Sequence, residues 1–305
     1  MSEVKPYFRY ENTNNEVVDL TQEPFVGELA NDLFAYKWNY ITQGQAIQRI
    51  VKFEKAMITR KFRVLITGKD ETEYRTNIDR FLHVTDVDIN NIKMGRLYVG
   101  DYYLECYIFA SAKPKRYLNT NKTLVELNIV CENGNWQKEY MHLVRSDAQT
   151  GVNGEHSAYG FNYPYDYDYD YTSAFGENLL SNESYMDTDF ELTFYGIMEH
   201  PIITIGGNTY DINYPVGEKE RLVINSQKKT AVLIRANGEE VNVFRFRNTD
   251  HYIYQKIKGG NSLIVYDNNE INATGNGNVE YRSINIDIKL FIERSEPKWS
   301  SGIWT

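Results

Sequence analysis

Apolar side chains along this chain recur every second residue almost everywhere, and at helical spacing in one place only. LFAYKWNYI, Leu33 to Ile41, sets Phe34, Tyr36, Trp38 and Tyr40 at a period of two, and Phe62, Val64 and Ile66 repeat it before Gly68. In an extended chain successive side chains point to opposite faces, so both stretches predict half-buried strands. Between them and the next strands, KDETEYRTNIDRFLHV predicts the one helix. Asp70 stands as its N-cap with Glu73 three residues on, and Tyr74, Ile78, Phe81 and Leu82 recur at helical spacing. Strand patterns resume with GRLYVGDYYLECYIFASAK and TLVELNIVCENGNW.

After Arg145 the texture turns polar and glycine-containing, as in a linker. Beyond it DFELTFYGI, PIITIGG, NTYDINYPVG, ERLVINS, KKTAVLIRANGEE, VNVFRFRN, NSLIVYDNN and SINIDIKLFIE follow one another without a helical pattern. Short strands at this spacing point to a β-sandwich, with Gly206-Gly207 and Asn237-Gly238 as hairpin turns. The expected organisation is a mainly β chain. Residues 1–148 form a sandwich- or barrel-like domain with one helix, 149–172 a junction, and 173–305 a second β-sandwich. A length of 305 residues suits two cores.

Charge divides along the same line. Residues 1–148 carry equal numbers of acidic and basic side chains, so the whole net charge of −9 resides in 149–305. An acidic half argues against nucleic-acid or anionic-membrane partners there. The opening MSEVKPYFRYEN lacks a signal-peptide core, and no run approaches the roughly 18 apolar residues of a membrane span, so synthesis and assembly in the cytoplasm are expected. Cys106 and Cys131 are too few for a disulfide framework or a structural zinc site and read as buried free thiols.

Catalytic motifs are missing. The five histidines show no metal-binding i, i+4 pair, and GNGNVE lacks the third glycine and the helix of a dinucleotide fingerprint. A pair of carboxylates for glycosidase chemistry stays open, because only spatial separation would define it. Neither a cofactor nor an enzymatic role is expected.

The stretch YPYDYDYDY, Tyr163 to Tyr171, has two readings. Extended, it lines Tyr165, Tyr167 and Tyr169 on one face and Asp166, Asp168 and Asp170 on the other. As a calcium loop it would use Asp166, Asp168, Asp170 and Glu177, but Tyr171 occupies the position where the sharp turn requires glycine.

The order of GRLYVGDYYLECYIFASAK, NGNWQKE, YPYDYDYDY, FELTFYGIMEHPIITIGGNTYDINYPVGEKERLVINS, VNVFRFRN and LFIERSEPKW resembles the distal tail proteins of siphophages infecting Gram-positive hosts. The resemblance spans Leu33 to Trp299. It implies a virion protein at the tail tip whose N-terminal domain forms a ring of six copies, with a galectin-like sandwich projecting outward. Its implied partners are its own copies, the major tail protein, the tail-tip hub with its tail-associated lysin, and receptor-binding or baseplate proteins. DNA would pass through the ring without sequence recognition. Candidate structural and interface residues are Phe34, Tyr36, Trp38, Tyr40, Trp136, Tyr165, Tyr167, Tyr169 and Trp299. The alternative is a carbohydrate-binding module. The galectin sugar site's histidine, asparagine and arginine cluster with a stacked tryptophan is not reproduced, however: His200-Pro201 lacks the following residues, and Met141 stands where an arginine would follow Trp136 and Glu139.

Overall fold

The computed structural model describes residues 7–28, 31–44, 47–55, 57–117, 121–145, 175–267, 271–274, 278–280 and 285–298. The expected linker and the Tyr163–Tyr171 repeat lie outside the described residues, as does Trp299. By its contacts the chain divides into Met1–Lys138 with Glu293–Thr305, and Glu139–Ile292. The divide falls inside two strands, so the first unit takes back a segment from the end of the chain.

The first unit opens with β1 (Phe8–Glu11), β2 (Val17–Asp19), β3 (Thr21–Gln22) and β4 (Phe25–Glu28), then a single helical turn, α1 (Asn31–Phe34). The pair β5 (Asn39–Gln43) and β6 (Arg49–Glu54) follows, then β7 (Ile58–Thr67), α2 (Glu71–Asn91), β8 (Gly95–Val99), β9 (Tyr102–Tyr117), β10 (Lys122–Cys131) and the start of β11 (Trp136–Arg145). Antiparallel pairing runs β9-β10-β7-β4-β3, with β8 beside β9, and β1 between β8 and β2. Inward positions of β7 (Phe62, Val64, Ile66), β9 (Leu104, Cys106, Ile108) and β10 (Val125, Leu127, Ile129, Cys131) meet Phe81 and Val84 of α2 in one core. This is the alternation expected from the sequence.

Helix α2 starts where its cap predicts. The Asp70 carboxylate accepts the Glu73 amide at 2.8 Å, and the Glu73 side chain reaches back to the Lys69 amide at 2.9 Å. It runs past the expected end at Val84 to Asn91 and closes on Ile92 in the left-handed region. The extra turns hold because Asp88, fully buried, accepts from the Tyr10 hydroxyl at 2.5 Å and from the Thr13 amide and hydroxyl at 2.8 Å. Asp88 thus ties the helix to β1 and its following turn through partners more than seventy residues away.

Two expected strands differ. Leu33 to Ile41 is a helical turn followed by extended chain, and strand pairing begins only at Asn39. Leu33 and Phe34 point into the core, whereas Tyr36 and Trp38 do not, so no single face unites them. Likewise VNVFRFRN supplies the end of a three-residue strand, Glu240–Asn242, and then a short 3-10 turn, Phe244–Phe246, because the Asn242 side chain accepts the Phe244 amide and bends the chain.

The second unit contains β12 (Phe175–Asn182), β13 (Asp189–Tyr195), β14 (Ile202–Ile205), β15 (Asn208–Asp211), β16 (Arg221–Asn225), β17 (Thr230–Ile234), β18 (Glu240–Asn242), β19 (Gly260–Asp267), β20 (Ile271–Thr274), β21 (Asn278–Glu280) and β22 (Asn285–Arg294). One sheet runs β18-β17-β16-β13-β22 and a second β12-β19-β14-β15. Phe190, Leu192, Leu222, Ile224 and Ile288 from the first sheet share a core with Leu180, Ile203, Tyr210 and Ile264 from the second, which makes a β-sandwich. Phe190 and Tyr210 meet edge to face at 4.9 Å. Gly206 and Gly207, both at positive φ, form the two-residue turn between β14 and β15, and Gly238 turns β17 into β18. The chain is mainly β, as expected.

Candidate assembly surface

Every residue of β5 and β6 is exposed, and among the described residues these strands pair only with each other. Their register sets Tyr40 opposite Phe53 and Thr42 opposite Ile50, with Val51 taking up an irregularity. Alternation then gives the ribbon two unlike faces. Tyr40, Phe53, Thr42 and Ile50 share one, and Asn39, Glu54, Ile41, Lys52, Gln43 and Arg49 share the other. Lys52 and Glu54 form an ion pair at 3.0 Å on the second face. The apolar face is open to solvent, with Tyr40 63%, Ile50 54% and Phe53 56% exposed. A lone two-stranded ribbon is at best marginal in water, so its anchorage matters.

The anchorage lies at its base. Phe34 stacks on the fully buried Trp136 with ring centroids 5.7 Å apart. Arg60, 2% exposed, donates to the Leu33 carbonyl at 3.0 Å and to the Gly134 carbonyl at 2.6 Å, so one guanidinium binds the entry to the ribbon to the turn before β11. Beyond the ribbon, Lys55 donates to the Asn135 side chain and, at 3.0 Å, to Ser295, while its ammonium lies 4.7 Å from the Trp38 ring centroid and 5.6 Å from that of Tyr36. Burial, with the Arg60 cation in support, holds the Lys55 pKa below the ordinary lysine value, and Glu293 opposes the shift. Glu293 itself gathers Asn133, Asn135 and Gln137 at 2.7 to 3.0 Å. The ribbon therefore grows from a rigid polar and aromatic base.

Of the residues singled out from sequence, Tyr36, Trp38 and Tyr40 are exposed at or beside the ribbon, at 50%, 41% and 63%. Phe34 and Trp136 reach no surface of this chain; both side chains pack inside the core beneath it. Tyr165, Tyr167, Tyr169, Trp299 and the calcium alternative Asp166, Asp168 and Asp170 lie outside the described residues, and of Glu177 only the backbone, in β12, is described. Among the described residues no cluster of three or more His, Cys, Asp or Glu is arranged to hold a metal ion. Sequence reasoning missed Ile50, Phe53, Lys55 and Arg60. RIVKFE carries an alternating signal, but plain alternation groups Phe53 with Val51, and the irregularity regroups it with Ile50.

The second unit orients one histidine: His200 shares a hydrogen bond with Asp211, whose other oxygen accepts from Asn248 at 3.1 Å. Residues 139–292 contain no tryptophan, so this unit offers no indole for a sugar to stack on.

No family model and no curated protein matches the chain. Solved structures do. The crystal structure of the Dit protein of phage SPP1, described as a paradigm of the hub adsorption apparatus in phages infecting Gram-positive hosts, aligns with a TM-score of 0.55. Identity is 10%, and the alignment covers 94% of this chain and 99% of that one. This chain has the fold of SPP1 Dit. Chains of the phage P2 baseplate in its activated conformation, with calcium and with strontium, share that Dit-like fold at a TM-score of 0.57 and 13% identity. They are covered over 99% and 100% of their lengths, and cover 95% and 97% of this one.

Proposed function

We propose that this protein is a non-enzymatic structural component of a siphophage tail tip, a distal tail protein that assembles with its own copies into a ring of six. The observation that carries this reading is the end-to-end correspondence with Dit and baseplate chains, since the alignments cover 94% or more of this chain and 99% or more of each of the others. Fold likeness alone leaves function open. The exposed ribbon supplies a separate argument, because a cyclic ring needs a heterologous contact and an apolar face with a rigid base suits one half of it. Tyr36, Trp38 and Tyr40 contribute to that contact, with Ile50 and Phe53 from β6. In this role the ring continues the tail tube formed by the major tail protein, seats the tail-tip hub, lets DNA pass, and carries receptor-binding proteins at the virion's tip.

Negative-stain electron microscopy of the purified full-length chain tests the proposal. Rings with a central hole are expected, and their class averages report the number of copies. Monodisperse single chains at every concentration and ionic strength would overturn it.

A further inference from the structure

The two cysteines, far apart in sequence, meet across two strands. Ile129 pairs with Ile108 and Val130 with Tyr107, so the antiparallel register brings Cys131 at the end of β10 opposite Cys106 in β9. Both side chains are free thiols and fully buried. Directly opposed antiparallel residues have Cα atoms about 4.5 to 5.5 Å apart, inside the range a disulfide spans.

Their neighbour makes the pair unusual. Arg60 is buried with a full charge, its two acceptors are neutral carbonyls, and its Nε has no partner. The two thiols head the groups acting electrostatically on that guanidinium, with Glu296 after them. A buried cation hydrogen bonded only to neutral carbonyls, with the Trp136 ring centroid 6.0 Å away, is costly, and a thiolate is the anion the site can generate within itself. The neighbouring Cys106 thiol and the Arg60 charge draw the Cys131 pKa down against the effect of burial, while the Cys131 thiol and burial push Cys106 up.

We propose that Cys106 and Cys131 are a modification site, a buried cross-strand dithiol that hydrogen peroxide closes to an intrachain disulfide. The Cys131 thiolate attacks one peroxide oxygen, the O–O bond breaks, and hydroxide leaves to be protonated, giving a sulfenic acid. Cys106 sulfur then attacks Cys131 sulfur; the S–O bond breaks, and the oxygen departs as water with the Cys106 proton. Two thiols and one peroxide become one disulfide and two waters, the sulfurs losing two electrons to the peroxide oxygens. Peroxide is little larger than water and reaches the core through local opening, whereas complete burial excludes a tripeptide disulfide.

The test uses the reduced, folded, full-length chain, treated with hydrogen peroxide, quenched, then alkylated in denaturant. Intact mass should show the loss of two hydrogens with no alkylation, and peptide mapping should join Cys106 to Cys131. Two alkylated cysteines, sulfinic acids, or a bond only between chains would overturn the proposal. Oxidised glutathione should leave the folded chain unchanged, and a glutathione adduct would refute the shielding on which the argument rests. In Cys106→Ser, dimedone added with the denaturant straight after peroxide should capture a sulfenic acid at Cys131. Equal capture at Cys106 in Cys131→Ser would overturn the assignment of the nucleophile. The wild-type masses decide the matter even if neither variant folds.

Discussion

Replacing Tyr40, Ile50 and Phe53 together by serine separates an assembly surface from a piece of the core. The three side chains are 63%, 54% and 56% exposed, so their loss removes little buried area from the single chain, and the melting temperature should move only slightly. Their contribution to a contact is larger. Full burial of a large apolar side chain is worth roughly 1.5 to 3 kcal/mol, and about half of each surface is still open, which leaves about 1 kcal/mol per residue and about 3 kcal/mol for the face. At about 1.4 kcal/mol per factor of ten, each contact weakens by about two orders of magnitude in dissociation constant. Sedimentation velocity across a concentration series, run beside thermal unfolding, reads both effects. The expected result is a fold of unchanged stability whose assembly shifts to much higher concentration. A variant that melts far below wild type, or that assembles as wild type does, would refute the reasoning, because the face would then be packed within the chain or unused.

Four further outcomes follow from individual side chains. Trp136→Ala should destabilise by ~3 to 5 kcal/mol in urea unfolding, since a fully buried indole stacked on Phe34 leaves a cavity beneath the ribbon. Gly95→Ala should melt markedly lower than wild type. An added Cβ there would sit 2.3 Å from both the Asp88 carboxylate and the Tyr10 hydroxyl, two groups locked in one hydrogen bond. Burial holds the His142 pKa below its ordinary 6.5, so the unfolded chain binds more protons in that window and stability should fall as pH drops below 6.5. His142→Gln should flatten that slope in pH-dependent melting curves. We also propose that Tyr163 to Tyr171 uses its tyrosines rather than binding calcium. A chelator should therefore leave the melting temperature unchanged, and a drop that disappears when Asp166, Asp168 and Asp170 become Asn would establish the calcium loop instead.

Features governed by near neighbours along the chain are legible in the amino-acid sequence. Alternation in Phe62–Val64–Ile66 and in β10 announces strands because a pleated chain has a period of two, and Asp70 with Glu73 announces the start of α2 because orphan amides there need an acceptor. Gly206-Gly207 announces a hairpin because two successive residues at positive φ favour glycine. What depends on partners far along the chain is not legible in the same way. The end of α2 waits on Tyr10 and Thr13 reaching Asp88. Phe34 and Tyr36, alike by pattern, part company because Trp136, a hundred residues away, stacks on only one of them. The open face of the ribbon depends on where β6 breaks register at Val51, and the meeting of Cys106 with Cys131 depends on how β9 aligns with β10. Local backbone and solvation preferences act over a few residues and are written in the sequence. Strand register and side-chain burial are decided by which distant surfaces meet, and only the tertiary structure brings those surfaces together.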